Sequence, residues 1–249
     1  MRLDKLIVER NLARTRSLAQ RHIAAGRVSV DGTLVTKAAF PVETYQDIVV
    51  TPETSAFASR GGQKLAAALD HWKIDLHGRV CLDIGISTGG FADSMLKRGA
   101  AQVIGVDSGH SQLAEALRTE PRLRLLERTN ARYLTPSMLP ESIGFLTVDV
   151  SFIAASLVLP AVIASAFPRR QEEGSASSRE AVVLVKPQFE AGRQFVGKGG
   201  IVRNASAHRI AIERVREVAI AHGAQGIDVM DSPILGGDGN REFLLYARF

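Results

Sequence analysis

The chain has 249 residues, 45% hydrophobic and 23% charged, enough for one ordinary domain and a small second one, which excludes disorder and fibrous repeats. One cysteine, Cys81, excludes an internal disulfide framework and points to a reducing cytoplasm. The formal charge of +5 is a mild sign of a polyanionic partner. Residues 2–27 carry a surplus of the same size, with Arg2, Lys5, Arg10, Arg14, Arg16, Arg21 and Arg27 against Asp4 and Glu9.

Leu3, Leu6 and Ile7 recur at helical spacing in a run ending near Asn11. Thr15 or Ser17 is placed to cap a second helix carrying Leu18, Ala19, His22 and Ile23, which Gly26 terminates. Val28–Val30, an Asp31-Gly32 turn and Thr33–Val35 read as a hairpin, and Ile48–Val50 as a third strand. Two basic helices beside a short hairpin resemble the S4 RNA-binding module. That resemblance implies RNA contacts by Arg2, Lys5, Arg14, Arg16, Arg21 and Arg27; the plainer reading of these charges is a solvated face. The expected division is an S4-like domain over 1–50, a polar, proline-bearing linker over 51–58, and a second domain over 59–249.

From there strands and helices alternate. Val80–Asp83, Val103–Asp107, Leu123–Leu126, Phe145–Val150, Ala181–Lys186, Gly226–Met230 and Phe243–Ala247 read as strands, separated by amphipathic stretches such as Phe91–Arg98 and Ala205–His222. Such alternation predicts an α/β fold with a mostly parallel sheet covered on both faces. Val150–Phe167 has no charge, but it is shorter than a membrane span and Pro160 interrupts it, so a core helix is expected. The N-terminus lacks the apolar core of a signal peptide. Gln171–Ser178 reads as a low-complexity surface loop.

Two cofactor types suit a glycine turn between a strand and a helix. Asp83 is read as a strand-tip acid, followed by Gly85, Gly89 and Gly90 in G-x-x-x-G-G spacing rather than the G-x-G-x-x-G of a dinucleotide site. A carboxylate there repels a pyrophosphate and suits the ammonium and sulfonium of S-adenosylmethionine. Asp107, at the next strand end, is placed to accept from a ribose diol. S-adenosylmethionine is therefore preferred over a dinucleotide, and no metal is expected.

Four further charges fall where open α/β sheets carry chemistry: Asp149 and Lys186 at strand ends, Glu242 before the final strand, and Lys64 opening a helix. An antiparallel final strand brings Glu242 to the same edge. Lys186 is read as a base for a ribose hydroxyl, with Lys64 as a second cation and the acids orienting both amines. Singly, each charge is more often a solvated strand end.

Ser59–Leu65, Ser87–Phe91, Glu127–Arg132, Asp149–Ile153, Val185–Glu190, Val196–Val202 and Gly236–Phe243 occur in order, and with the S4-like start the chain resembles the TlyA-type, FtsJ-like ribosomal RNA 2'-O-ribose methyltransferases, often labelled hemolysins. The resemblance implies a Rossmann-like class I methyltransferase sheet with an antiparallel last strand. It implies a Lys64, Asp149, Lys186, Glu242 tetrad, and donor binding by Asp83, Gly85, Ser87, Gly89, Gly90, Asp107 and Asn130. It also implies cytidine ribose in ribosomal RNA as substrate, with large-subunit 23S-type RNA favoured, acting in the cytoplasm with no membrane partner. Ile86 in place of a usual serine, and Ser108–Leu113, depart from the family pattern. The competing readings are an inert S4-type RNA-binding protein, a base N-methyltransferase on the same fold, and a pore-former.

Overall fold

The computed structural model describes residues 1–13, 15–24, 26–51, 56–139, 143–168 and 179–249, so Arg14 and the 171–178 stretch lie outside it. Two compact units divide the chain, Met1–Ser55 and Ala56–Phe249.

In the first unit, α1 (Leu3–Glu9) and α2 (Arg16–Ala24) accompany β1 (Val28–Val30), β2 (Thr33–Leu34) and β3 (Ile48–Val50), in sheet order β2-β1-β3. Leu3, Leu6 and Ile7 are all buried, as their spacing requires, against Ala19, Ile23, Val28 and Val30. Thr15 Oγ1 accepts from the Leu18 N–H at 3.2 Å, making it the capping residue. Asp31 and Gly32 both have left-handed φ, 48° and 76°, which the two-residue hairpin demands.

Asp4 holds the helical pair together. It is fully buried, and its carboxylate accepts from Arg2 (3.0 Å), Arg16 (2.9 Å) and Gln20 (2.8 Å). The Arg2 guanidinium, then Gln20 and Arg16, hold its carboxyl well below the usual carboxylate range despite burial. Arg2 and Arg16, both assigned to RNA, therefore also have an intramolecular partner; Lys5 and Arg21 are exposed and Arg27 is half-buried.

The second unit comprises α3 (Gly61–Trp72), β4 (Val80–Ile84), α4 (Gly90–Lys97), β5 (Gln102–Val106), β6 (Leu123–Leu126), β7 (Phe145–Val148), α5 (Ala155–Ala166), β8 (Glu180–Val185), α6 (Pro187–Glu190), α7 (Ala205–Ala221), β9 (Gly226–Asp231) and β10 (Phe243–Arg248). The seven-stranded order is β6-β5-β4-β7-β8-β10-β9. The β6-to-β8 run is parallel, and β10 lies antiparallel between β8 and β9. This Rossmann-like arrangement has the antiparallel last strand expected. Apolar clusters cover both faces of the sheet.

One local reading changes. Pro160 does not interrupt the apolar stretch, because α5 runs through it. A proline six residues into a helix removes one backbone bond, and burial of Val158, Leu159, Val162 and Ile163 offsets that loss. The segment just before α3 is bonded to the second unit: the Ala58 N–H donates to Asp93 at 2.7 Å, and Lys97 donates to the Ala56 carbonyl. Among the described residues no helix is long and apolar enough to cross a membrane.

Candidate active site

A cavity of about 580 Å³ opens at the carboxyl ends of β4, β5 and β7. Gly85, Ser87 and Gln112 form part of its wall, with Asp107, Asn130 and the Asp149–Ile153 segment completing most of it. This is the crevice where open α/β sheets bind ligands. Gly85 is there for two reasons. Its φ is 83°, and an added Cβ would lie 2.3 Å from the Asp149 carbonyl oxygen, so only glycine lets the β7 end close on the turn. Asp107 follows β5 and is aimed by two backbone donors, Ser87 N–H (2.8 Å) and Gly109 N–H (2.7 Å). Asn130 accepts from the Arg132 N–H at 3.0 Å.

Gly89, Gly90 and Asp83 are not among the lining residues. A Cβ on Gly90 would meet Ser59 Oγ at 2.2 Å and the Gly62 nitrogen at 2.9 Å, and one on Gly89 would strike Leu117. Their close approaches seat α3 and the 113–117 segment against the turn. Asp83 is not at a strand tip: β4 extends one residue further, and Asp83 pairs with Thr147 inside the sheet. It is 1% exposed, with Oδ1 accepting from Thr147 Oγ1 at 2.8 Å and Oδ2 lacking a hydrogen-bond partner of good geometry among the described residues. Burial pushes its carboxyl up to about 7, with nearby Asp149 and Asp107 adding to the effect and Thr147 opposing it.

An acid whose folded value lies above its unfolded one holds its proton longer when folded. Its stabilisation is lost as pH rises from about 4 toward 7. Glu190, also raised chiefly by burial, acts in the same direction. The Asp83 contribution to the wild-type Tm is therefore expected to fall between about pH 4 and 7, and Asp83→Asn to flatten that fall. Equal slopes in thermal melts of both proteins would remove Asp83 as the cause.

Ile86 is only 6% exposed and turns into the core, where Gly105 makes room for it: a Cβ at Gly105 would lie 2.3 Å from Ile86 Cδ1. The departure from serine therefore packs away from the cavity.

The four strand-edge charges form two ion pairs. Lys186 Nζ lies 2.7 Å from Asp149 Oδ1 and donates to Ser151 Oγ at 2.8 Å. Lys64 Nζ donates to Glu242 Oε2 at 2.5 Å, both side chains being almost fully buried. One residue beyond the last paired positions of β8 and β10, Val185 and Phe243, Lys186 and Glu242 stand opposite each other. Such a set supplies amines held by carboxylates beside a cavity, suited to moving a proton from a hydroxyl.

Sequence reading missed Ser151, Gln112, Glu190 and Phe152. The first and last lay in a motif singled out for Asp149 alone. Phe152 is 95% exposed at a φ of 66° and lines the cavity mouth, 6.1 Å from Phe189. Glu190 accepts from Ser156 N–H (3.1 Å) and Oγ (2.7 Å), tying the turn after Lys186 to the start of α5.

A family model described as FtsJ-like methyltransferase matches residues 57–249. The chain belongs to the FtsJ-like methyltransferase family. An S4 domain model matches residues 1–48. The chain is 42% identical over 250 residues to the 16S/23S rRNA (cytidine-2'-O)-methyltransferase TlyA of Mycobacterium tuberculosis strain H37Rv, covering 99% of this chain and 89% of that one. It is 36% identical to Hemolysin A of Brachyspira hyodysenteriae, over 99% of each chain. A solved Streptococcus thermophilus structure bearing the hemolysin name superposes with a TM-score of 0.73 at 38% identity, over 100% of this chain and 88% of that one. The FtsJ-like unit thus holds both ion pairs and the cavity, and the S4 domain holds the basic helical pair.

Proposed function

We propose that this methyltransferase modifies the 2'-hydroxyl of cytidine in ribosomal RNA, in the cytoplasm, with large-subunit 23S-type RNA as the first target to test. The observation that carries the reading is the joining of Lys186–Asp149 and Lys64–Glu242 at the sheet edge that also opens into the cavity. The relatives named as ribosomal RNA (cytidine-2'-O)-methyltransferases all include 23S RNA in their names, which supports that order of testing. Domains of 1–50 and 59–249 with a 51–58 linker remain the working division.

The donor is S-adenosylmethionine, which supplies an electrophilic methyl group on a sulfonium. Gly85, Ser87, Asp107 and Asn130 would hold it, with Asp107 on the ribose diol. Asp83, Gly89 and Gly90 support the turn from behind. Lys186 would take the hydroxyl proton, while the bound donor would supply its methyl group to the oxygen. Asp149 and Ser151 aim the amine, and Lys64–Glu242 shapes the opposite side.

Nucleoside mass spectrometry of 16S- and 23S-type RNA, with and without the gene, tests the reading. A 2'-O-methylcytidine should vanish without the gene. Loss of a base-methylated nucleoside instead would favour a base N-methyltransferase, and no change would favour an inert RNA-binding protein. Calorimetry should show donor binding lost in Asp107→Ala, and binding of NAD without response to S-adenosylmethionine would overturn the donor assignment.

On the S4 domain, Lys5 and Arg21 are exposed, and Arg2 and Arg16 keep about half their side chains open. Lys5→Gln with Arg21→Gln should weaken binding across unrelated RNAs. The salt dependence should flatten by about one unit for each phosphate no longer neutralised. An unchanged slope would make this a solvated face.

A further inference from the structure

We infer that the segment from Arg193 to Arg203 is a second RNA contact, taking the phosphodiester backbone beside the catalytic ion pairs; this rests on the RNA methyltransferase reading above. The eleven residues contain Arg193, Lys198 and Arg203 and no acid. All three cations are exposed, and none has a hydrogen bond or ion pair among the described residues. On the adjoining loop, by contrast, Arg241 is held by both oxygens of Asp231, and Asp238 is the only acid between residues 236 and 240.

The segment is held in place. Asn240, fully buried, accepts from the Val202 N–H and donates to the Gly200 carbonyl, both at 2.9 Å. His208 Nε2 lies 2.9 Å from the Val202 carbonyl oxygen. Gly197 N–H donates to Ile201, and Gly200 N–H to Gly197, closing the loop on itself. Phe195 and Val196 pack against the main core. Asn240 lies two residues before Glu242, the partner of Lys64, so the loop and the buried ion pair share one anchor.

Gly199 and Gly200 have φ of 76° and 79°, and a Cβ on either would meet nothing within 4 Å. Glycine is needed there for backbone conformation alone, and the face above it is open to another backbone at close range. Cations without an internal partner, on a loop already ordered, give up little on meeting a phosphate. No exposed aromatic side chain is interleaved among them, so the segment suits backbone contact rather than base reading.

The test uses the full chain carrying Lys198→Gln with Arg203→Gln, and protein-free ribosomal RNA. RNA affinity by fluorescence anisotropy is measured across a salt series, with donor affinity by calorimetry as the check on folding and kcat where turnover is seen. Lys73→Gln, on the C-terminal end of α3 about 18 Å along the helix from its start, is the charge control. The double variant should bind RNA about tenfold more weakly near physiological salt, with a salt slope lower by roughly 0.7–0.9 for each phosphate released. Donor affinity and kcat at saturating RNA should stay at wild-type values, and Lys73→Gln should change nothing. An unchanged slope and affinity in the double variant would overturn the inference, as would a weakening equal to that of Lys73→Gln. A wild type that binds RNA through this segment but never methylates it would overturn the function above while leaving the RNA-binding role of the segment standing.

Discussion

Lys186→Ala is expected to lower kcat by about 100- to 10,000-fold, the usual worth of a positioned base, while donor affinity stays nearly unchanged. Lys186 is placed for the role because it follows β8 directly, is mostly buried, and is aimed by Asp149 at 2.7 Å and Ser151 at 2.8 Å. It does not line the cavity, so its loss should leave donor binding intact. Lys186→Arg should fail too, since a guanidinium keeps its charge near neutral pH and cannot accept the hydroxyl proton. Single-turnover assays of the three proteins would decide this, and near-normal turnover in Lys186→Arg would leave Lys186 only a positioning charge.

Glu242→Ala is expected to cost about 3–5 kcal/mol of stability, because it strands the buried Lys64 ammonium without its carboxylate. For a domain of this size that is a fall in Tm on the order of 10 °C. Activity lost in that variant has two readings, a missing catalytic partner or a disturbed fold, and a second variant separates them. Replacing both members, Lys64→Met with Glu242→Leu, removes the stranded charge and should restore most of the stability. Methyl transfer should remain absent. Calorimetric melts and RNA methylation assays together read both quantities, and turnover in the apolar double variant would make the pair structural only.

Some assignments were legible because they depend on neighbours along the chain. The spacing of Leu3, Leu6 and Ile7, the Asp31-Gly32 turn and the Thr15 cap are local, and each occupies its expected place. The apolar runs ending at Asp107, Asp149 and Lys186 placed those residues at the carboxyl edge, because strand ends in such folds are set by where apolar pairing stops. Asp83 was misplaced for the same reason: its charge looked like a strand end, yet the strand carries it inside, beside Thr147.

By itself, then, the sequence determined the alternating α/β pattern, the basic helical pair, the glycine turn and the strand-end places of Asp107, Asp149 and Lys186, all consequences of periodicity and backbone conformation. Only the tertiary structure decided who meets whom. Lys64 meets Glu242 across 178 positions of sequence, and Lys186 meets Asp149 and Ser151 from a neighbouring strand. Arg2 and Arg16 turn to the buried Asp4, and Gly89 and Gly90 serve packing against other elements rather than lining the cavity. The reason is physical: a buried charge must find an opposite one and a bare backbone must be approached by something, but which residue arrives is set by strand order and helix packing.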